Sequence, residues 1–556
     1  MQFQKKLKNK LFGLVLVFLI GLGSLSFIPY GNYFEIAKNL DIFATLYKEV
    51  NTYYVDEVDP ESLINAGIEA MLSSLDPYTN YIPEEALDEY RTMTTGEYAG
   101  IGSLIGKVNG KNMITMPNRG FPAEKAGLKI GDELIAVDGI DVTDKSTLDI
   151  SKLLKGKAKT EVVVTVKRYG IEGSIDFTII RGRIKIDNVP YYGLVNGNVG
   201  YVRLSDFTTN AAGEVKSAIL DLKSKGAESI VLDLRGNPGG LLYESVNVCN
   251  LFLPKGMEVV NTLGKVADWN KTYKTLNSPL DSTIPLAVLT NSGSASASEI
   301  VAGVMQDYDR GIIVGRRTFG KGLVQTTRPL AYNSQLKVTT AKYYTPSGRC
   351  IQAVDYSNRN PDGSVGKIPD SLKVAFETRN GRTVFDGGGI TPDVETESEF
   401  LSAITLNLLQ KGLLFGYATV YFYNHPEITD AKSFKLSSKE YNEFISWLED
   451  KDYDYETKVE KSIKDLVYLA KQENYYSDIE EEISNLQSNI MHNKDSDLIT
   501  YQEQIKSILE EYISSRYYLV GGEIEASFDN DTDLQAAIEI LNDPEKYKEI
   551  LDPESE

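Results

Sequence analysis

The chain has 556 residues, of which 42% are hydrophobic and 25% are charged, and its formal net charge is −21. This length predicts three or four domains at about 150 residues each, and the composition is that of a soluble globular protein. The chain contains only two cysteines and two histidines. These numbers exclude a disulfide framework and a clustered zinc site, so we expect no metal. We expect Cys249 and Cys350 to be small buried side chains, and the sequence leaves their pairing open.

Residues 1–30 are predicted to carry an export or anchoring signal. Four lysines between positions 5 and 10 precede an apolar run from Leu11 to Ile28. A basic start followed by about 18 apolar residues fits either a signal peptide or a single membrane anchor. We favour an uncleaved anchor because no Ala-x-Ala cleavage site is evident. We therefore expect an exported protein of the periplasm or cell envelope, held at the inner membrane by residues 11–28.

Residues 31–90 are predicted to form an N-terminal helical region. Apolar side chains recur at helical spacing from Ile36 to Val50, and again from Leu63 to Leu72. Asp76 and Pro77 then mark the end of a helix. We expect this region to be structural and regard it as a candidate dimer interface.

From residue 91 to residue 183 the pattern changes to short strands and glycine turns. The run Gly96 to Gly102 is followed by a second run, Pro122 to Gly139, that contains Ala-Gly-Leu-x-x-Gly-Asp-Glu-Leu. Together these runs resemble a PDZ domain. Consecutive backbone N–H groups in such a loop can hold a terminal carboxylate, while the peptide adds as a strand to the sheet edge. The resemblance implies a carboxylate-binding loop formed by Ala99, Gly100, Ile101 and Gly102.

Residues 184–396 are predicted to form an α/β domain with a glycine turn at the end of one strand. The apolar strand Ser229 to Leu234 runs into Arg235-Gly236-Asn237-Pro238-Gly239-Gly240, and a helix begins at Leu241. Such a turn exposes backbone N–H groups at the end of a sheet, as an oxyanion hole requires. An ordinary strand-to-helix turn has the same sequence character, so the pattern alone leaves both interpretations open.

A second strand-to-helix turn contains a run of serines. Leu286 to Leu289 is typical of a buried strand, Asn291 to Gly293 is typical of a turn, and helical spacing begins at Ser298. The small residues of this turn would let a substrate carbonyl approach the backbone closely. Serine is also an ordinary residue at the start of a helix, so the run alone does not establish a nucleophile.

The residues available as a base limit the chemistry. His425 and His492 lie far downstream in a region that looks helical and acidic, which argues against a Ser-His-Asp triad. Lys321 lies between two glycines, 25 residues after Ser296. It would act as a base only when neutral, so burial would have to lower its pKa from about 10.4. Gln325 follows four residues later and could accept a hydrogen bond from the lysine and orient it.

The segment from Gly315 to Lys321 also matches the first part of a nucleotide-binding P-loop. That motif requires Ser or Thr next and then a helix. Here Gly322 follows, and Leu323 to Thr327 favours a strand. We therefore interpret the segment as the position of a lysine base.

The serine run, the Gly-Lys-Gly-x-x-Gln segment and their separation resemble the carboxyl-terminal processing (tail-specific) serine peptidases. The resemblance extends over roughly residues 35 to 395. It implies an α/β multidomain protein: a crotonase/ClpP-like α/β serine protease core with an inserted β-rich PDZ domain, a helical N-terminal segment and a helical C-terminal extension.

The same resemblance implies roles for individual residues. Motif matching places Ser296 at the nucleophile, Lys321 at the general base and Gln325 at the residue that orients the lysine. Ser294 and Ser298 are weaker candidates for the nucleophile. The implied oxyanion donors are the N–H of Gly239 or Gly240 and the N–H of Ala297.

Residues 397–556 form an acidic helical extension without a motif that indicates chemistry. From residue 401 onward, 14 basic residues stand against 33 acidic ones, and helical periodicity recurs in several segments. A solvated helical appendage is the default interpretation of such charge. The charge argues against nucleic acid or an anionic membrane as a partner of this region.

Together these observations predict a serine-type endopeptidase of the bacterial cell envelope that recognises protein C-termini through its PDZ domain. A Ser-Lys dyad would act through an acyl-enzyme and would need no cofactor. We expect substrates with free, apolar C-termini, a homodimer, and an adaptor or regulator as a further partner. The alternative is a non-catalytic PDZ scaffold or peptide-binding chaperone of the same fold. Acyl-CoA chemistry, which the related crotonase fold supports, is a more distant alternative.

Overall fold

The computed structural model describes residues 31–360, 362–397, 400–490 and 494–552. The predicted signal or anchor falls on residues 1–30, outside the described residues. Among the helices of the described ranges, none combines the length and the apolar character that a membrane crossing needs. The chain divides into two compact units, Met1–Tyr81 and Ile82–Glu556.

The first unit contains two helices that the sequence predicts, α1 (Gly31–Tyr53) and α2 (Pro60–Ser73), and the start of a short strand, β1 (Asn80–Ile82). Asp59 caps α2 by accepting a hydrogen bond from the N–H of Ser62. Several large apolar side chains of α1 are exposed, including those of Phe34, Leu40 and Leu46. Helix α1 therefore presents an apolar face.

A PDZ-like domain lies between two strands that pair with each other. After α3 (Leu87–Thr95), β2 (Glu97–Gly100) pairs antiparallel with β9 (Gly182–Lys185), so the entry and exit of the domain are adjacent. The enclosed elements are β3 (Ser103–Val108), β4 (Lys111–Pro117), α4 (Pro122–Ala126), β5 (Glu133–Val137), β6 (Ile140–Asp141), α5 (Thr147–Leu154), β7 (Glu161–Lys167) and β8 (Ile175–Ile180). The main strand order is β3-β4-β5-β7-β8.

The PDZ-like domain has a hydrophobic core of its own. In β7 the side chains of Val162, Val164 and Val166 are buried and alternate with less buried residues, the pattern of a strand with one face inward. They pack with Leu134 of β5 and Ile150 of α5. This cluster contains residues of the PDZ-like domain alone.

The central domain is an α/β layer structure. Its main elements are β10 (Tyr191–Val195), β11 (Val199–Arg203), α6 (Ala211–Ser224), β12 (Ser229–Asp233), α7 (Leu242–Phe252), β15 (Leu286–Thr290), α8 (Ala297–Asp307), β16 (Ile312–Gly315) and β23 (Val394–Glu395). The strand order is β10-β11-β12-β15-β16-β23, and all neighbours are parallel except β10 and β11.

Further strands flank this sheet. They are β13 (Glu258–Gly264), β14 (Lys271–Lys274), β17 (Leu323–Pro329), β18 (Gln335–Tyr344), β19 (Val354–Arg359), β20 (Val365–Lys367), β21 (Ala375–Glu377) and β22 (Thr383–Phe385). β18 pairs with both β13 and β17, which places the segment after Lys321 in this smaller sheet. Cys249 is buried in the central domain, Cys350 is partly buried, and both are free thiols.

Both faces of the central parallel sheet are covered, as is usual for such sheets. In β12, Ile230 and Leu232 contribute to a cluster with α6, α7 and α8, whereas Val231 contributes to a second cluster on the opposite face. Apolar residues at consecutive positions of the strand are therefore required by the fold.

The C-terminal region is helical, as predicted. Its helices are α9 (Ala403–Gln410), α10 (Leu413–Asn424), α11 (Ser438–Leu448), α12 (Lys458–Gln472), α13 (Tyr476–Ile490), α14 (Lys494–Thr500), α15 (Gln502–Ser527), α16 (Thr532–Leu541) and α17 (Pro544–Leu551). Tyr417, Phe444 and Leu509 belong to a core shared by several of these helices. The predicted mixed α/β organisation with a β-rich insert and helical ends is confirmed.

The end of the C-terminal extension differs from the solvated appendage that its charge predicts. Leu534, Ile538 and Leu541 of α16 pack on the second face of the central sheet, in one cluster with Val231 and Val314. These three positions repeat at the spacing of one helix face. The net charge therefore describes the exposed surface, whereas the inner apolar face of α16 covers the central sheet.

Candidate active site

Ser296 lies at a sharp turn between β15 and α8. Its φ of 55° and ψ of −109° are outside the regions that residues other than glycine usually adopt. A backbone of this kind costs about 1–3 kcal/mol and persists only where the surrounding structure enforces it. Strained turns from a strand into a helix are known to present a nucleophilic serine at the end of a sheet.

The hydroxyls of the two weaker candidates have structural hydrogen bonds. Ser294 Oγ donates to the carbonyl of Leu234 at 2.8 Å, and Ser298 Oγ donates to the carbonyl of Asn237 at 2.9 Å. Both serines are fully buried, whereas Ser296 is partly exposed. Of these three serines, Ser296 is the one that a substrate can reach.

Glu299 joins the serine turn to the lysine loop, although no sequence motif had indicated this role for it. Its side chain is fully buried. The carboxylate accepts hydrogen bonds from the N–H groups of Ser296 (2.8 Å), Gly320 (2.7 Å) and Lys321 (2.9 Å) and from the hydroxyl of Thr318 (2.6 Å). The sequence signal was present as Ser-x-x-Glu at the start of a helix, the pattern of a capping box.

Glu299 links the backbones of the predicted nucleophile and the predicted base. The N–H groups of Ser296 and Lys321 donate to the same carboxylate oxygen, Oε2. Burial raises the pKa of Glu299, although the hydrogen bonds that it accepts act in the opposite direction. On the far side of Lys321, the N–H of Gly322 donates to Gln352 Oε1 at 2.8 Å, so the lysine loop is fixed on both sides.

Gln325 is on β17, where the pairing with β18 shifts register between Val324 and Gln325. Its Nε2 donates to Thr339 Oγ1 at 3.1 Å. This hydrogen bond uses the nitrogen of the amide as a donor and fixes its orientation. The carbonyl oxygen, Oε1, is then the group of Gln325 that can accept a hydrogen bond from a lysine ammonium or amine.

Gly239 and Gly240 differ in their hydrogen bonding. The N–H of Gly239 donates to Asn237 Oδ1 at 2.9 Å. Within the described residues, the N–H groups of Gly240 and Ala297 donate to no protein acceptor. The sequence left Gly239 and Gly240 open as oxyanion donors, and the geometry favours Gly240.

The close contact of the glycine turn with the serine turn requires glycine at position 239. Gly239 has a φ of 99°, and a Cβ there would lie 2.8 Å from both Ala297 N and Ser296 Cβ. The Ala295 N–H donates to the carbonyl of Asn237 at 3.0 Å, which links the two turns directly. The nucleophile and the candidate oxyanion donors therefore form one packed unit.

The predicted carboxylate loop of the PDZ-like domain is a separate site. Ala99 and Gly100 lie in the β2–β9 pair, and Ile101 and Gly102 form the loop before β3. The carbonyls of Ile101 and Gly102 accept hydrogen bonds from Ala123 and Asn118, while their N–H groups donate to no acceptor within the described part of the chain. β3 is at the end of the strand order, so a peptide can add to its edge.

The histidines do not supply an alternative base in the described structure. The ring of His425 stacks on Tyr421 at 3.9 Å between centroids, within the C-terminal helices. His492 falls outside the described residues.

Comparison with known proteins shows the family of the chain. The sequence profile of peptidase family S41 matches residues 198–365, a PDZ domain profile matches residues 113–168, and a profile described as the C-terminal helical domain of a probable PDZ-protease matches residues 404–541. A carboxy-terminal-processing protease of Bartonella bacilliformis is 39% identical over 57% of this chain and 73% of its own length. The chain belongs to the carboxyl-terminal processing serine peptidases of family S41.

Other relatives of this S41 peptidase have similar descriptions. A probable CtpA-like serine protease of Staphylococcus aureus is 38% identical over 62% of this chain and 71% of its own length. The solved structure of a photosystem II D1 C-terminal processing protease is 29% identical, covers 65% of this chain and 93% of its own, and has a TM-score of 0.36.

Proposed function

We propose that this S41 peptidase cleaves its substrates with a dyad of Ser296 and Lys321. The observation that carries the proposal is the shared acceptor, Glu299 Oε2, to which the N–H groups of both residues donate. The strained backbone of Ser296 and the buried hydroxyls of Ser294 and Ser298 support the choice of nucleophile.

The chemistry follows from these positions. Neutral Lys321 takes the proton of Ser296 Oγ while Oγ attacks the substrate carbonyl carbon, and the N–H groups of Ala297 and Gly240 stabilise the oxyanion. Lys321 then protonates the leaving amine as the C–N bond breaks, which leaves an acyl-enzyme. A water molecule, deprotonated by Lys321, then attacks the ester carbon, and Lys321 returns the proton to Ser296 Oγ as the C–Oγ bond breaks, which releases the acid and restores neutral Lys321. Gln325 orients the lysine through its carbonyl oxygen.

Substrate selection is assigned to the PDZ domain. The N–H groups of Ile101 and Gly102 are available to a terminal carboxylate, and the edge of β3 is available to the residues before it. The side chain of Ile101 belongs to the same hydrophobic core as that of Ile150, so the base of the loop is apolar. Substrates therefore carry free C-termini with apolar last residues.

Location and assembly are part of the same proposal. The basic and apolar sequence of residues 1–30 supports a place in the cell envelope. The exposed side chains of Leu40 and Leu46 on α1 support a homodimer, and the acidic C-terminal surface supports docking of an adaptor. Light scattering on a Leu40→Asp/Leu46→Asp double variant checks the dimer, because an unchanged mass would refute this interface.

The catalytic proposal is tested with the full chain in detergent and an unfolded reporter protein that has an apolar C-terminal tail. We expect Ser296→Ala and Lys321→Ala each to reduce cleavage by about 10⁴-fold or more. Ser292→Ala is the matched control, because Ser292 is an exposed serine of the same turn. A reporter with a charged tail should be cleaved more slowly by the unaltered chain. Unchanged cleavage by Ser296→Ala would refute the assignment of the nucleophile.

A further inference from the structure

A charged cluster lies at the carboxyl end of β12, directly before the glycine turn. Asp233 is fully buried and accepts hydrogen bonds from Tyr201 Oη (2.6 Å), Arg203 Nη1 (2.7 Å) and Arg235 Nη2 (2.7 Å). Burial acts to raise the pKa of Asp233, but Arg235 and Arg203 outweigh it and hold the pKa below its usual range. Asp233 is therefore a fixed anion that anchors one side of the Arg235 guanidinium.

The other side of Arg235 is bound by the C-terminal region. Its Nη1 and Nη2 donate to the two oxygens of Asp531 at 2.7 and 2.6 Å, the paired geometry that aligns a guanidinium with a carboxylate. Nη1 also donates to Asp533 Oδ2 at 3.0 Å. Two carboxylates at the start of α16 thus hold a residue of the central domain.

These aspartates are fixed by their own contacts. Asp531 caps α16 by accepting a hydrogen bond from the Leu534 N–H at 3.0 Å. Asp533 Oδ1 accepts one from Thr396 Oγ1, in the segment that follows β23. The packing of α16 on the sheet sets the place of both carboxylates, and they in turn set the place of Arg235.

The position of Arg235 affects the glycine turn through a short chain of hydrogen bonds. The next residue, Gly236, donates its N–H to Asn291 Oδ1 of the serine turn at 2.9 Å. Asn237 then accepts from the N–H of Gly239 through its side chain and from the N–H of Ala295 through its carbonyl. A displacement of Arg235 is therefore transmitted to both turns that carry the candidate oxyanion donors.

Charge balance accounts for two carboxylates. Arg203, Arg235 and Arg316 of the central domain face the single charge of Asp233, and Asp531 and Asp533 supply the two remaining negative charges, with Arg316 Nη2 at 3.9 Å from Asp533 Oδ2. The side chain of Arg235 is only 14% exposed. Without Asp531 and Asp533 the guanidinium groups of Arg235 and Arg203 would share the single charge of Asp233, and the least costly response is for Arg235 to move toward solvent.

We propose that Asp531 and Asp533 are positioning residues for catalysis, through which the C-terminal helical domain holds the Gly236–Gly240 turn in the geometry that binds the oxyanion. This inference rests on the proposed function, because it takes Gly240 and Ala297 as the oxyanion donors. A merely structural role would attach the domain to the sheet and leave the rate of the chemical step unchanged.

The test compares Asp531→Asn, Asp533→Asn and the double variant in the full chain. Asparagine also accepts the hydrogen bond of an N-cap, so the helix start is retained. The matched control is Glu539→Gln on the same helix, an exposed carboxylate that pairs with Lys546. The measurements are kcat and KM on a tailed peptide, the affinity of a peptide boronate that forms a tetrahedral adduct with the serine, and the thermal unfolding midpoint.

We expect the double variant to lose about 10- to 100-fold in kcat, less than the loss of a whole oxyanion donor. Boronate affinity should fall by the same factor, while KM and the control stay within about twofold. The inference is overturned if kcat stays at the unaltered value, or if kcat falls without loss of boronate affinity. A decrease in kcat that is fully accounted for by the fraction of unfolded protein also overturns the inference.

Two further variants keep the outcomes distinct. If the double variant does not fold, the single variant Asp531→Asn tests the positioning role. It removes the paired hydrogen bonds with Arg235 and keeps the cap of α16. Ser296→Ala tests the proposed function separately. Full activity in Ser296→Ala refutes that function, whereas inactive Ser296→Ala with fully active aspartate variants refutes only the positioning role.

Discussion

The PDZ domain and the end of the C-terminal region relate to the catalytic sheet in opposite ways. The PDZ domain buries Leu134, Ile150 and Val164 in a cluster of its own. In the C-terminal region, Leu534 and Ile538 are buried in a cluster that they share with the catalytic strands. The PDZ domain is thus an insert with an independent core, whereas residues 528–551 are a layer of the peptidase fold itself.

The physical reason lies in the central sheet. A parallel sheet needs apolar cover on both faces, and α6, α7 and α8 cover only one. Helices α16 and α17 cover the other, and the start of α16 also carries the carboxylates that bind Arg235. A change in the PDZ core should therefore affect binding of the substrate tail, while a change in α16 should affect the catalytic domain.

The largest expected effect comes from placing a carboxylate either in the cluster that α16 shares with the central sheet or in the core of the PDZ domain. Leu534→Asp buries an unpaired charge in the shared cluster, at a cost of more than about 5 kcal/mol, comparable to the whole stability of a domain. We expect this variant to lose its fold and all peptidase activity. Leu134→Asp should unfold the PDZ domain alone. The rate at which this variant cleaves a short peptide that has no tail should be unchanged. Circular dichroism, tail binding and short-peptide turnover distinguish the two results.

The control for both changes is Leu466→Asp, because Leu466 is an exposed leucine of α12. This variant should behave as the unaltered chain. If Leu134→Asp abolished short-peptide turnover as completely as Leu534→Asp, the independence of the PDZ core would be refuted.

A smaller effect is expected from the buried ion pair of the PDZ domain. Arg168 donates from Nε and Nη2 to the two oxygens of Asp132, which is almost fully buried. Asp132→Asn leaves the guanidinium without its counter-charge and should cost about 3 kcal/mol of PDZ stability. The expected result is a lower unfolding midpoint of the PDZ domain and weaker tail binding, with kcat on a short peptide unchanged.

This variant is the counterpart of Asp531→Asn, since each change removes the charge of a carboxylate that binds an arginine with both oxygens. Calorimetry of the full chain and short-peptide kinetics measure both. A fall in kcat on the short peptide in Asp132→Asn would show that the PDZ domain, too, positions the catalytic turns.

Local motifs supplied the candidate residues of the active site. Motif matching to the family assigned Ser296 and Lys321, and the structure holds their backbones on one carboxylate. The role of Glu299 was missed because a glutamate at the start of a helix is usually an exposed cap, and its burial depends on Thr318 and Gly320 from a distant segment.

Other features could not follow from local sequence at all. The choice between Gly239 and Gly240 as oxyanion donor depends on the side chain of Asn237. Its Oδ1 accepts a hydrogen bond from the N–H of Gly239, and the N–H of Gly240 remains available to a substrate. The packing of α16 on the central sheet could not be predicted from net charge, because net charge describes the exposed surface. The spacing of Leu534, Ile538 and Leu541 predicts an apolar helix face but does not identify the surface on which it packs. The pair of Arg235 and Asp531 joins residues almost 300 positions apart.

The smallest effect is expected at the carboxylate loop. Gly102 has a φ of 73°, and a Cβ there would lie 2.6 Å from Phe121 Cβ. Gly102→Ala must therefore displace the loop whose N–H groups we assign to the substrate carboxylate, and we expect tail binding to weaken about tenfold, or 1.4 kcal/mol. Gly110→Ala separates this displacement from backbone strain, because Gly110 has a φ of 76° and a Cβ added there would meet no atom within 4 Å. Strain alone costs about 1 kcal/mol of stability and should leave tail affinity unchanged. Tail affinity is measured by fluorescence anisotropy. Equal affinities of the two variants would refute the assignment of the carboxylate site to this loop.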